Sequence, residues 1–136
     1  MTDEIQAIAQ ANQAFYRAFE TLKIEAMESV WSKDADIQCG HPGWRILRGW
    51  GPVMESWKRI FDNTPSMQFI LTDVKIEVKG DVAWVTLYEN LASSIEGQNY
   101  SAAILTTNIF QKSPDGWRMI LHHGSATGAT DGGETG

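Results

Sequence analysis

The hydrophobic pattern of this chain changes period once, at Pro65, and that change limits the possible folds more than any other feature. Before Pro65, apolar residues recur at spacings of three and four. After it, they alternate. Ile5, Ile8, Phe15, Phe19 and Leu22 mark one face of a first helix, with Asn12 interrupting the stripe. Asp3 and Gln6 have the capping-box form and place its start. Ile24, Met27, Val30 and Trp31 predict a short second helix. The segment from Asp36 to Leu47, punctuated by Gly40, Pro42 and Gly43, reads as two short strands around a turn. Gly51-Pro52 opens a third helix whose buried face is Val53, Met54, Trp57, Ile60 and Phe61.

Beyond Pro65, Val74, Ile76 and Val78 alternate with Lys75, Glu77 and Lys79, and Gly80-Asp81 supplies a hairpin turn. Val82 to Ser93, Tyr100 to Gln111 and Gly116 to His123 then read as three further strands. Three helices followed by four long antiparallel strands and a short hairpin's worth of extra sheet make an α+β domain. The strand from Val82 is apolar on both sides: Ala83, Val85, Leu87 and Leu91 on one, Val82, Trp84 and Tyr88 on the other. One face meets the helices. The other calls for a second copy of the chain, so a homodimer through the outer sheet face is expected.

At 136 residues the chain fits one hydrophobic core. We expect the domain to span 1–125 and a Gly/Thr-rich disordered tail to occupy 126–136. With 17 acidic against 11 basic residues and a pI near 4.9, there is no reserve for a basic stripe, so no nucleic-acid partner is expected. No apolar run reaches the 18 or so residues that cross a bilayer, which argues against a membrane partner. The acidic N-terminus lacks the basic and apolar regions of a secretory signal, and Cys39 has no cysteine to pair with, so a cytoplasmic location is expected.

The order helix, helix, short hairpin, helix and four long strands resembles the cone-shaped nuclear transport factor 2-like superfamily, which includes the ketosteroid isomerases. Its SnoaL-like branch is resembled more closely, through Val30-Trp31, Gly40-His41-Pro42-Gly43, Leu47-Arg48-Gly49 and Val53-Met54-Glu55-Ser56-Trp57. Gly80-Asp81-Val82-Ala83-Trp84-Val85, Thr107-Asn108-Ile109-Phe110 and the run Gly116 to Ser125 extend the resemblance over roughly residues 3 to 126. It implies three helices packed on a curved, mainly antiparallel sheet, with the turn around His41 at the mouth of the cone. The reaction is not implied, because this scaffold serves isomerases, cyclases, dehydratases and binding proteins alike. Relatives commonly carry three consecutive histidines near the end of the last strand, where this chain has Leu121-His122-His123. A tyrosine and a protonated acid facing one cavity, as a ketosteroid isomerase requires, are not evident in the sequence.

Candidate functional residues are the polar groups that interrupt apolar faces. His41 has the right ordinary pKa for a general acid or base, and equally suits a turn histidine bonded to backbone. Glu89 continues the Ala83-Val85-Leu87 face, and Asn108 continues the row Ala102-Ile104-Thr106-Phe110. Each fits either a pocket group or a structural hydrogen bond. On the last strand Trp117, Met119, Leu121 and His123 share a parity, which turns His123 inward and His122 outward with Arg118 and Ile120. The candidate catalytic set is therefore His41, Glu89 and His123. Of six tryptophans, Trp31, Trp57 and Trp117 read as core and Trp84 as interface. Trp44 and Trp50 beside the His41 turn, with Trp57 and Asn108, form the candidate ligand-binding set for a small, largely apolar molecule. No metal-ligand spacing, P-loop, dinucleotide fingerprint or nucleophile elbow occurs, so neither metal nor cofactor is expected. Two readings follow: a ligand-binding cone, or a cofactor-independent isomerase, cyclase or dehydratase using a His/Glu acid–base group.

Overall fold

The computed structural model describes residues 2–95 and 98–128. Three helices, α1 (Thr2–Thr21), α2 (Ile24–Val30) and α3 (Trp50–Asp62), cover one face of a single sheet. Its strands are β1 (Gln38–Gly40), β2 (Leu47–Arg48), β3 (Ser66–Lys79), β4 (Val82–Ile95), β5 (Gln98–Ser113) and β6 (Gly116–Ala126), in the order β2-β1-β6-β5-β4-β3. Every pairing is antiparallel except β1 with β6, which run parallel. The α+β reading, with four long strands and a short hairpin, is the observed architecture. α3 starts two residues earlier than the proline suggests, because Gly49 at φ 93 turns the chain into it and Pro52 falls inside the first turn.

The core lies where the helical stripes meet the inner sheet face. Ile8, Phe15 and Phe19 of α1, Met27 of α2 and Val53, Trp57 and Phe61 of α3 pack on Ala83, Val85, Leu87, Phe110 and Met119. Phe15, Phe19, Trp57, Phe61 and Phe69 form a continuous set of edge-to-face and tilted ring contacts. Such pairs each add about 1 kcal/mol beyond the area they bury.

Two β-bulges bend the sheet. In β3 the register against β4 shifts between Thr72 and Lys75, where Asp73 takes φ 53. In β6, Ile109 faces Leu121 while Phe110 faces Met119, so Ile120 is an extra residue. That bulge overturns the simple alternation expected for the last strand. Trp117 and Met119 face the core, and beyond Ile120 the buried positions are His122 and Gly124 instead of Leu121 and His123. His122 is buried and His123 is exposed, the reverse of the strict period-two reading.

β6 also continues through Ala126, opposite Ile104, and Thr127 bonds to the Ala103 carbonyl. The strand therefore takes in Ala126, the first position of the tail expected at 126–136, and positions 129–136 of that tail lie outside the described residues. Among the described residues no helix is long and apolar enough to cross a membrane. Gly124 is wedged inside the sheet: a Cβ there would stand 2.9 Å from Ile104 Cγ2 and 3.6 Å from Pro42 Cγ. Gly124→Val is expected to cost about 2 kcal/mol by overpacking, read as a lower urea midpoint with an unchanged slope.

Candidate functional site

Polar side chains from four elements meet in the interior between α1 and the sheet. Asn12 and Tyr16 stand one turn apart on α1, so both reach the sheet from the same helix face. β4 contributes Glu89, β5 Thr106 and Asn108, and β6 His122, all on the inner sheet face because their registered partners share its parity. All six are buried.

They form a hydrogen-bonded chain. The Tyr16 hydroxyl donates to Glu89 Oε2 at 2.5 Å. Asn108 Nδ2 donates to Tyr16 Oη at 3.1 Å and to Asn12 Oδ1 at 2.9 Å. His122 Nδ1 lies 2.6 Å from Asn108 Oδ1. Burial drives the Glu89 carboxyl up to about 7, against hydrogen bonds from Tyr16 and Thr106 that favour its ionised form. Burial also raises the Tyr16 hydroxyl well above its ordinary value, with the Glu89 charge adding to the effect. His122 is driven well below the usual histidine range by burial, and then by His41 and His123.

A second group lies alongside. His41 Nε2 is 2.9 Å from Ser56 Oγ, which itself donates to the Val53 carbonyl at 2.6 Å. Cys39 Sγ is 3.6 Å from the same ring nitrogen. Burial lowers His41 to about 4 and raises the Cys39 thiol, so both are neutral at pH 7. Trp57 joins the two groups: its ring centroid is 4.6 Å from that of His41 and 5.8 Å from that of His122, and the two imidazoles are 6.4 Å apart. Among the described residues no three His, Cys, Asp or Glu side chains converge as a metal site would require.

Of the residues singled out in the sequence, the structure brings His41, Glu89, Asn108 and Trp57 together. His123 is exposed on the opposite face of β6, and His122 occupies the interior position instead. Trp44 is partly exposed, edge-on to His41 at 4.9 Å, with the Arg59 guanidinium 5.7 Å from its ring. It lines a shallow groove of about 220 Å³ with Leu47, Pro52, Glu55, Ser56 and Arg59. Trp50 sits at the start of α3 with Lys33 Nζ 5.5 Å from its ring, and has no contact with His41 among the described interactions. Tyr16 and Ser56 were not anticipated. Tyr16 follows Phe15 at the margin of the α1 stripe, and its only signal is the four-residue step from Asn12.

A model of the SnoaL-like domain matches residues 8–129. The chain belongs to the SnoaL-like family. A candidate dehydratase of the nuclear transport factor 2-like family from Streptomyces avermitilis is 36% identical, with a TM-score of 0.89 over 94% of this chain and 99% of that one. A candidate calcium/calmodulin-dependent protein kinase type II association domain from Thiobacillus denitrificans is 32% identical, with a TM-score of 0.76 over 85% of this chain and 91% of that one. The F-box protein SKIP8 of Arabidopsis thaliana is 27% identical over 120 residues, 88% of this chain and 49% of the plant protein, so this chain spans about half the length of that relative.

The Glu89 environment has a measurable sign in this SnoaL-like domain. In the unfolded chain the carboxyl ionises near 4.5, whereas the native one holds its proton to about 7. Between those values the native state binds the extra proton, so this group's contribution to stability falls as pH rises. Glu89→Gln keeps an acceptor for Tyr16 but removes the titration. Relative to the parent, the variant should gain on the order of 3 kcal/mol between pH 4.5 and pH 8. Urea titrations of both proteins at each pH check this, and comparison at equal pH cancels the opposite trend from His41.

Proposed function

We propose that this SnoaL-like domain binds a small, largely apolar molecule in its cone interior and moves a proton on it with its own side chains, as a cofactor-independent dehydratase, isomerase or cyclase. The observation that carries this reading is the Glu89–Tyr16 pair. A carboxyl with a pKa about 7 is half ionised at neutral pH and can both take and return a proton, which general acid–base catalysis needs. The 36% identical relative described as a candidate dehydratase supports the same direction.

The chemistry fits the groups. Glu89 removes the proton α to a carbonyl, and the C–H electrons become the new C=C bond. In a dehydration the protonated Glu89 carboxyl gives that proton to the β-hydroxyl, which leaves as water with the C–O electron pair, so atoms and charge balance and Glu89 ends ionised as it began. In an isomerisation the proton returns to a different carbon. Tyr16 holds the Glu89 carboxyl in place and Asn108 holds Tyr16, while His41 stays in the candidate set and His122 takes the place of His123. The test is deuterium exchange into small aryl ketones and β-hydroxy ketones in D₂O, followed by NMR. Glu89→Gln should slow catalysed exchange on the order of 100-fold. Equal rates for the two proteins would overturn the catalytic reading.

The outer sheet face supports a homodimer. Trp84, Tyr88, Leu105 and Ile70 expose 36%, 37%, 45% and 71% of their surface there. Tyr88 faces Leu105, and Trp84 faces Ile109, across one strand pair. Large rings and branched side chains in adjacent rows are what interface cores use. Light scattering at micromolar concentration should report twice 15.2 kDa, and Trp84→Glu with Leu105→Glu should return it to 15.2 kDa.

A further inference from the structure

We infer that Trp57, His41 and His122 form a hydroxyl-binding subsite, in which the indole N–H donates to a ligand oxygen and an imidazole lone pair accepts that hydroxyl's hydrogen. The inference deepens the proposed function, since it rests on the interior admitting a ligand, and it names the group that ligand must carry.

The hydrogen positions follow from the partners. Ser56 has one hydroxyl hydrogen, and it goes to the Val53 carbonyl. Ser56 Oγ can therefore only accept from His41 Nε2, and a neutral His41 ring keeps its lone pair on Nδ1, where the Cys39 thiol at 4.0 Å is too distant for more than a weak contact. The Asn108 amide nitrogen is committed to Asn12 and Tyr16, so its oxygen faces His122 Nδ1. Nδ1 then carries the hydrogen, and His122 keeps its lone pair on Nε2. Asn108 thus acts on His122 as a positioning residue by fixing its tautomer.

Trp57 packs against both of these rings, wholly buried, with an indole N–H that has no hydrogen-bond partner among the described residues. Buried N–H groups are almost always paired, and an orphan one points to a partner that binds there. One donor beside two acceptors selects among ligands. A carbonyl oxygen would suit Trp57 but set its own lone pairs against those of the histidines. An ammonium would suit the histidines and oppose the indole N–H. A hydroxyl both accepts and donates, so it matches. Phe15 and Phe19, packed on the same indole, supply apolar walls for the ring or chain that bears it.

The test compares phenol with toluene, which are alike in size and differ in the hydroxyl. Phenol should bind about tenfold more tightly, the consequence of satisfying groups that toluene leaves unpaired. It should shift the ¹⁵N signals of the Trp57 indole and of His122 Nε2, which toluene leaves in place. Trp57→Phe keeps an aromatic ring and removes the N–H. His122→Asn keeps a donor toward Asn108 and removes the Nε2 lone pair. Each should bring the phenol-to-toluene ratio close to one while toluene still binds. Equal binding of the two probes by the parent protein, or a preference that survives both variants, overturns the subsite and leaves the ligand-binding reading standing. Binding of neither probe overturns both. In the free protein, a His122 ring with its hydrogen on Nε2 overturns the subsite whatever binds.

Discussion

A carboxyl group enclosed among helices and sheet loses its hydration, and an ionised one without partners would cost far more than a small domain's whole stability. Glu89 is in that position, and the surrounding structure is arranged around it. Tyr16 approaches from α1 to donate, and Asn108 steadies the tyrosine oxygen from β5. Asn12, one turn earlier on α1, takes the other amide hydrogen. The α1 stripe, otherwise apolar, breaks where the sheet needs hydrogen-bonding partners. Helix placement and sheet register are therefore tied together by polar contacts as well as by the aromatic core.

That arrangement gives the interior a direction. From His122 through Asn108 and Tyr16, each hydrogen points toward Glu89. Hydrogen bonds in such a row polarise one another. They favour negative charge at the carboxyl while burial opposes it, and the balance leaves Glu89 close to neutrality in its acid–base behaviour. The neighbouring His41 and His122 take the opposite course, because burial keeps a base uncharged. One interior thus holds an acid ready to ionise and two bases resistant to protonation.

Much of this was legible in the sequence. The change of period at Pro65 separates helices from strands, and the parity of β4 and β5 turns Glu89 and Asn108 inward, as observed. The failure on β6 is equally instructive. Period-two reasoning holds only while the strand stays regular, and an extra residue at Ile120 carries no compositional mark. Neither Gly nor Pro stands there. Tyr16 escaped for a different reason: an amphipathic stripe has soft edges, and an aromatic residue at its border looks like more core. Trp50 was drawn to the His41 turn by sequence proximity, but the fold places it under Lys33.

The bulge in β6 makes the interior depend on phase and not only on composition. His122 and His123 are adjacent and chemically identical, and one looped-out residue decides which of them is sealed inside and which meets water. A single insertion or deletion upstream in that strand would exchange them without altering any side chain's identity. In a scaffold that hosts many reactions, slipping a strand by one position is a route to a different set of interior groups that substitution alone would need several steps to reach.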